Sequence, residues 1–169
     1  MNEEKFDYVI VGGGSAGWMT ASSLSKNVPE IDVTLIESPT VPTVGVGEST
    51  TLHINWYLQG MGIRDEDWMP YCNATYKASI KFTDFYKKGE YFHYPFGDPF
   101  LGDTFNGFND WWYKKFIYPE TPYTDYADCY FPQMALVNQN KLSINGDGRL
   151  DNFKFFSNTA FHFDATKFG

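Results

Sequence analysis

Residues 8–17 read YVIVGGGSAG, a β-branched and apolar run that leads directly into a glycine-rich turn. The run Tyr8–Val11 predicts a buried strand, and the segment from Ala16 to Lys26 predicts a helix. In such a turn the first glycine permits the tight bend, the second lets a pyrophosphate approach the backbone, and the third lets the helix pack closely on the strand. The spacing G-x-G-x-x-G is formed here by Gly12, Gly14 and Gly17.

The start of the predicted helix, at Ser15 and Ala16, offers backbone N–H groups to a phosphate. A second predicted strand, Val33–Ile36, ends at Glu37, twenty positions after Gly17. A carboxylate there binds ribose hydroxyls and repels a 2′-phosphate, which favours FAD or NAD over NADP. The order strand, glycines, helix, strand and acid predicts an adenine dinucleotide site; the alternative is a strand–helix turn that binds no ligand.

Charge and length exclude several other classes of protein. The 169 residues include 13 basic and 21 acidic side chains, a formal charge of −8, which repels nucleic acid and anionic membrane surfaces. The length fits one domain with a sizeable core and does not comfortably fit two. We find neither an export signal nor an apolar run of about 18 residues. We therefore expect a cytoplasmic protein with no nucleic-acid or membrane partner.

The sequence predicts no metal site. Cys72 and Cys129 are too far apart for a C-x-x-C pair, and the three histidines are scattered along the chain. His162 and Asp164 could share a strand face, but no third ligand has suitable spacing, which favours a structural pair. A G-x-S-x-G nucleophile elbow is also absent, so we predict no hydrolase triad.

After this strand–helix–strand segment, residues 44–50 predict a second glycine-rich turn. In it, Gly47 either needs a positive φ or allows a close approach to the backbone. Thr51–Met61 predicts a helix. Thr75–Phe82 alternates with period two, so that one face carries Lys77, Ser79 and Lys81. The pattern alone makes both lysines solvated strand residues.

The second half of the chain is rich in aromatic residues. Residues 83–131 predict a loop-rich region with a helix near Asp110–Phe116, and the aromatic density there indicates a binding surface for flat apolar groups or a face that packs against further chain. The segment Phe161–Ala165 begins an amphipathic element.

Five blocks of the chain, in order, resemble the flavin-dependent halogenases of the tryptophan halogenase group. The first includes a Gly-Trp-Met extension that general flavoproteins lack. The blocks are Val9–Met19, Gly45–Thr50, Trp68–Pro70, Tyr76–Phe82 and Phe161–Ala165. The resemblance implies an α/β, Rossmann-like FAD-binding fold of the FAD-dependent monooxygenase and halogenase type, which we expect to be incomplete at its C-terminus.

The resemblance also implies a domain organisation. Residues 1–169 correspond to the N-terminal part of an FAD-binding halogenase domain. Within it, residues 1–82 hold the dinucleotide-binding βαβ unit and the flavin loops, and residues 83–169 begin the substrate region. Flavin contacts are implied for Gly47, Glu48 and Ser49, although Glu48 is equally well interpreted as an acid on a turn surface.

In the reaction that the resemblance implies, reduced FAD, dioxygen and chloride or bromide give hypohalous acid. A lysine then positions this oxidant beside an electron-rich aromatic substrate, either indole-like or phenol-like. By motif match the lysine is Lys77, and an amine whose pKa falls on burial suits that role. A separate flavin reductase would supply the reduced FAD, and the halide ion is the co-substrate.

The chain departs from the family's substrate site and length. Phe96 matches a phenylalanine that flanks the substrate, but Tyr94 stands where the family has histidine, and His93 lies one place earlier. The chain also lacks the W-x-W-x-I-P segment and the later catalytic glutamate. We therefore expect a halogenase that needs a missing C-terminal half or subunit, or a non-catalytic truncated FAD-binding fragment; another FAD-dependent monooxygenase is the third interpretation.

Overall fold

The computed structural model describes residues 7–41, 45, 47–100, 107–119, 125–141 and 155–168. Their elements, in chain order, are β1 Asp7–Val11, α1 Ser15–Asn27, β2 Asp32–Ile36, β3 Gly47–Ser49, α2 His53–Met61, α3 Asp65–Trp68, β4 Thr75–Lys77, β5 Ser79–Thr83, β6 Tyr91–Pro95, α4 Gly107–Ile117, α5 Tyr126–Tyr130, α6 Met134–Val137, α7 Phe155–Asn158, β7 Ala160–Asp164 and α8 Ala165–Phe168. They belong to two compact units, one within residues 1–75 and 161–169 and the other within 76–160.

The first unit begins with the predicted strand–helix–strand arrangement. β1 and β2 are parallel neighbours, in a register that runs from Asp7 opposite Asp32 to Val11 opposite Ile36. Helix α1 connects them, as parallel strands require a crossover. The prediction of a buried first strand is wrong: Val11 is 82% exposed, because β1 and β2 form a sheet of only two strands within the described residues.

The core of the first unit is aromatic. The indole of buried Trp68 makes edge contacts with three phenylalanine rings, with centroid distances of 4.9 Å to Phe161, 5.6 Å to Phe163 and 5.3 Å to Phe168. Such edge-to-face pairs are favourable beyond the area that they bury. The backbone N–H of Asp164 also donates to the carbonyl of Cys72, at 2.9 Å. These contacts join the last elements of the chain to α3 and to the segment that follows it.

The second unit contains an antiparallel hairpin. β5 and β6 pair from Ser79 opposite Pro95 to Thr83 opposite Tyr91. The loop-rich prediction for residues 83–131 therefore missed a strand, although the helix expected near Asp110–Phe116 is present as α4. A small core cluster from α5 and α6 and their connection contains Ala127, Phe131 and Met134.

The single strand predicted over Thr75–Phe82 is interrupted. β4 ends at Lys77 and β5 begins at Ser79, and the two belong to different sheets. At the intervening position the carbonyl of Ala78 accepts a hydrogen bond from the N–H of Phe96, at 3.0 Å. Period-two alternation does not carry across such a break, so the lysines on either side of it lie in different environments.

Candidate functional site

The glycine-rich turn between β1 and α1 has the geometry that its spacing predicts. Gly12 has a φ of +125°, which side chains rarely allow, and its N–H donates to the carbonyl of Ile36 at 2.8 Å. A Cβ at Gly17 would collide with the carbonyl oxygen of Gly12. Glycine is therefore required at position 12 by the backbone conformation and at position 17 by the close packing of the helix on the turn.

Gly14 is different, because a Cβ built on it would meet no described atom within 4 Å. It precedes α1, where no described side chain caps the helix and no acidic residue lies in the first turn. Uncapped backbone N–H groups at a helix start stabilise an anionic group. The open space at Gly14 thus fits a phosphate-containing ligand.

The other predicted residues of this turn lie close by. Glu37 lies against the backbone of Gly13, since a Cβ built there would collide with its carboxylate. The hydroxyl of Ser15 is 3.5 Å from the carbonyl of Ala165, to which it donates, and Ala16 is exposed in the first turn of α1. Glycine at position 13 therefore leaves room for the acid that follows β2.

The second predicted glycine-rich turn is partly a strand. Gly47, Glu48 and Ser49 form β3 and pair antiparallel with β7, opposite Asp164, Phe163 and His162. Gly47 has no positive φ, and a Cβ built on it would meet no described atom within 4 Å. Backbone freedom at Gly47 was one of two explanations for this glycine, and it is wrong. All three residues of β3 are exposed, and residues 44 and 46 of the predicted turn lie outside the described residues.

In the second unit, Lys77 is buried. Only 8% of its surface is exposed, and its Nζ atom lies 5.2 Å from the centroid of the buried Phe96 ring. Burial lowers the pKa of Lys77, because the ammonium loses more solvation than the neutral amine. Lys81, by contrast, is exposed, with Nζ 3.8 Å from the centroid of the Tyr91 ring. The pattern-based interpretation of Lys77 as a solvated lysine is thus wrong, while the one for Lys81 is correct.

The predicted aromatic residues around position 94 lie in three environments. Tyr94 is 63% exposed and pairs with Ile80 across the hairpin. His93 is half-buried, and its Nδ1 atom lies 2.9 Å from the hydroxyl of Ser79. Burial is the main cause that lowers the pKa of His93, and the nearby charge of Lys81 acts in the same direction. The ring of Phe96 lies beside the Nζ atom of Lys77.

Three polar residues next to this group were not predicted from the sequence. A cleft of about 650 Å³ beside His93 is lined by Asp125, Asp128 and Asn138, together with Gly89, Glu90 and Tyr91. The backbone N–H of His93 donates to the carboxylate of Asp125, at 3.3 Å. No sequence signal pointed to these residues, because they follow a long aromatic segment and belong to no motif.

Neither a metal cluster nor a membrane helix is found in the described parts of the chain. No group of three histidine, cysteine or acidic residues there could hold a metal ion. Asp164 instead accepts hydrogen bonds from the N–H and the hydroxyl of Thr166, which lower its pKa. No helix among the described residues is long and apolar enough to cross a bilayer.

The family model described as Tryptophan halogenase matches residues 7–169. The chain belongs to the tryptophan halogenase family. This family of flavin-dependent enzymes includes the tryptophan 6-halogenase SttH of Streptomyces toxytricini, which is 50% identical over 108 residues, or 63% of this chain and 20% of SttH. The tryptophan 6-halogenase ThaL of Streptomyces albogriseolus is 33% identical over 94% of this chain and 32% of its own length.

Solved structures of tryptophan halogenase relatives have the same α/β fold over the described region. The apo structure of VirX1 matches with a TM-score of 0.83 and 45% identity, over 96% of this chain and 31% of VirX1. The crystal structure of SttH matches with a TM-score of 0.73 and 37% identity, over 94% of this chain and 30% of SttH. The chain therefore spans about a third of the length of these structures, and it corresponds to their N-terminal part.

Proposed function

We propose that this chain contributes the FAD-binding turn and the reactive lysine of a flavin-dependent halogenase acting on an electron-rich, indole-like or phenol-like arene. The observation that carries the proposal is the burial of Lys77 against the ring of Phe96. A buried lysine is uncommon without a specific role, since lysine is among the residues least often buried. Its neighbour Lys81 stays exposed, as a lysine with no such role would.

The residues that would hold FAD lie in the first unit. We assign the phosphates to Gly12, Gly14, Ser15, Ala16 and Gly17, and the ribose to Glu37, in a Rossmann-like arrangement. The open space beside Gly14 supports this assignment. We assign further flavin contacts to the exposed strand residues Gly47, Glu48 and Ser49. When bound, reduced FAD would supply two electrons to dioxygen, and the chloride or bromide that becomes hypohalous acid would supply the other two.

Lys77 could interact with hypohalous acid in two ways. As an ammonium it donates a hydrogen bond to hypohalous acid, and as a neutral amine it attacks the halogen, forming an N–halogen bond and releasing hydroxide or water. A lowered pKa increases the fraction of neutral amine at a given pH. We assign His93, Tyr94 and Phe96 to contacts with the arene, because aromatic side chains stack on flat apolar groups.

The proposal extends to the organisation of the protein and to its partners. Residues 1–82 would hold the cofactor, and residues 83–169 would begin the substrate region. A separate flavin reductase would supply reduced FAD, and a further C-terminal portion or subunit would supply what the longer relatives contain. The proposal is supported by the extent of the matches, since the aligned regions cover 20% of SttH and 32% of ThaL.

The test combines a binding measurement with a reaction. FAD binding to residues 1–169 is followed by isothermal titration calorimetry. A panel of indoles and phenols is then incubated with bromide, FAD, dioxygen, a flavin reductase, NADH as its electron donor and the protein, and products are analysed by mass spectrometry. If the reading frame continues past codon 169, its full product is assayed alongside. The variants are Lys77→Ala and, as the matched control, Lys81→Ala.

We expect FAD to bind to all three proteins. With the C-terminal portion present, we expect a monobrominated arene from the wild type and Lys81→Ala but not from Lys77→Ala, and we expect no product from residues 1–169 alone. Undiminished product from Lys77→Ala would contradict the role of the lysine. FAD binding without product from any arene, even with the C-terminal portion present, would support a non-catalytic FAD-binding fragment. Hydroxylated arenes in place of brominated ones would support a monooxygenase.

A further inference from the structure

The backbone of Phe96 is held on both sides of its peptide. Its N–H donates to the carbonyl of Ala78 at 3.0 Å, and its carbonyl accepts from the side-chain amide of Gln133 at 2.7 Å. The amide of Asn158 donates to the same carbonyl at 3.5 Å. A carbonyl oxygen has two lone pairs, so the two amides together satisfy its acceptor capacity.

These two amides are buried. Gln133 is 2% exposed and Asn158 is 7% exposed. Removal of a buried donor leaves its acceptor unsatisfied, which costs more than the loss of an exposed hydrogen bond. The hydrogen bond from Gln133 is therefore a strong constraint on the position of the Phe96 peptide.

The residue after Phe96 adds a further constraint. Gly97 has a φ of +84°, and a Cβ built on it would collide with the amide nitrogen of Asn158 and lie 2.8 Å from the carbonyl oxygen of Ser157. Only glycine combines this conformation with this close approach. The backbone conformation at Gly97 is therefore fixed, directly after Phe96 and against the side-chain amide of Asn158.

We propose that Gln133 is a positioning residue for Lys77, acting through the carbonyl of Phe96 to hold the Phe96 ring against the ammonium group. The importance of this arrangement for catalysis rests on the proposed function, since it requires Lys77 to be the reactive amine. The arrangement itself rests on the hydrogen bond of Gln133 to Phe96 and on the 5.2 Å separation of Nζ and ring centroid.

The ring has two effects on the lysine. Its face attracts the ammonium, which restricts the orientation of the side chain, and its bulk keeps water from Nζ. If the Phe96 peptide loses the donor from Gln133, it keeps only the longer hydrogen bond from Asn158 on this carbonyl, so the ring is held less tightly and water gains access to the amine. Renewed solvation of the ammonium then returns the pKa of Lys77 towards its ordinary value of 10.5.

The experiment measures Lys77 directly in residues 1–169. The protein is prepared with lysine labelled with ¹³C at Cε, and the Lys77 signal is identified by its loss in Lys77→Arg. The pH titration of that signal and its nuclear Overhauser contacts with the Phe96 ring are compared between the wild type and Gln133→Met, which keeps the side-chain size and removes the donor. The matched control is Gln139→Met, because Gln139 is exposed and its side-chain amide donates to the carbonyl of Ala135, in the helix α6 that precedes it.

We expect Gln133→Met to raise the titration midpoint of Lys77 and to weaken its contacts with the ring. Gln139→Met and the signal of Lys81 should be unchanged. A folded Gln133→Met protein with the wild-type midpoint and wild-type ring contacts would overturn the proposal. The titration needs neither flavin nor halide, so it gives the same answer whether or not the protein halogenates.

A second variant decides the matter if Gln133→Met does not fold. Gln133→Leu removes the same donor and leaves the longer hydrogen bond from Asn158 in place. We expect a shift of the Lys77 midpoint in the same direction. An unchanged midpoint and unchanged ring contacts in a folded Gln133→Leu protein would also overturn the proposal.

Discussion

The Nζ atom of Lys77 lies 5.2 Å from the centroid of the Phe96 ring, and both side chains are buried. Burial favours the neutral amine, whereas the ring face favours the ammonium. Burial lowers the pKa of Lys77. Burial of the Lys77 ammonium reduces the stability of the fold. This cost should appear in the dependence of the stability on pH.

The first prediction concerns Lys77→Met. Between the lowered folded-state pKa and the ordinary value of 10.5, the unfolded chain binds more protons than the folded one, so stability rises with pH across that window. Below it, the cost of burying the ammonium is fully present. We expect Lys77→Met to raise the melting temperature more at about pH 7 than at about pH 10, measured by circular dichroism.

The matched control is Lys81→Met, because Lys81 is exposed in the neighbouring strand β5. Its effect on the melting temperature should be the same at both pH values. An equal gain from Lys77→Met at both would show that the Lys77 ammonium is not destabilised by burial.

The second prediction separates the two roles of glycine in the first turn. Gly17→Ala places a Cβ on the carbonyl oxygen of Gly12 and should destabilise the protein by about 1–3 kcal/mol in urea unfolding. Gly14→Ala places a Cβ in open space and should leave the stability nearly unchanged. If a phosphate of FAD occupies that space, Gly14→Ala should weaken FAD binding about tenfold or more. Wild-type affinity in Gly14→Ala would remove Gly14 from the proposed cofactor site.

The third prediction concerns the aromatic core of the first unit. The indole nitrogen of Trp68 is buried and has no hydrogen-bond partner among the described residues. Trp68→Phe loses no hydrogen bond and keeps a ring, so we expect a much smaller loss than the roughly 3–5 kcal/mol of Trp68→Ala. Urea denaturation measures both.

The exposed Trp56 supplies the comparison, and Trp56→Ala should change the stability by about 0.5 kcal/mol or less. If Trp68→Phe costs as much as Trp68→Ala, the indole nitrogen makes a hydrogen bond that the structure does not describe.

The fourth prediction concerns His93, whose pKa is lowered chiefly by burial. Between the lowered folded-state value and the ordinary 6.5, the unfolded chain binds the extra proton, so stability falls as the pH drops through this window. His93→Gln should reduce that fall in stability, as measured by thermal unfolding over a pH series. The exposed His53→Gln serves as control and should leave the profile unchanged. A wild-type profile in His93→Gln would mean that other groups cause the acid sensitivity.

Local sequence patterns predicted the first unit well. β1, α1 and β2 lie where the apolar runs and the glycines predict them. Each of these elements depends on residues that are close together in the chain. Strand β6 and the break at Ala78 were missed, since both depend on pairing with a distant segment. The assignment of individual cofactor and substrate contacts remains a prediction.

The sequence by itself determined the family, the glycine turn and the position of the acid after β2, because these depend on residue identity and short spacing. Only the tertiary structure separated Lys77 from Lys81. The two lie on the same face of the alternating pattern, yet one is buried against Phe96 and the other is exposed. The sheet changes at Ala78, and Gln133 and Asn158 hold the Phe96 carbonyl from far along the chain. Burial of a charged group depends on such distant contacts, which no local periodicity encodes.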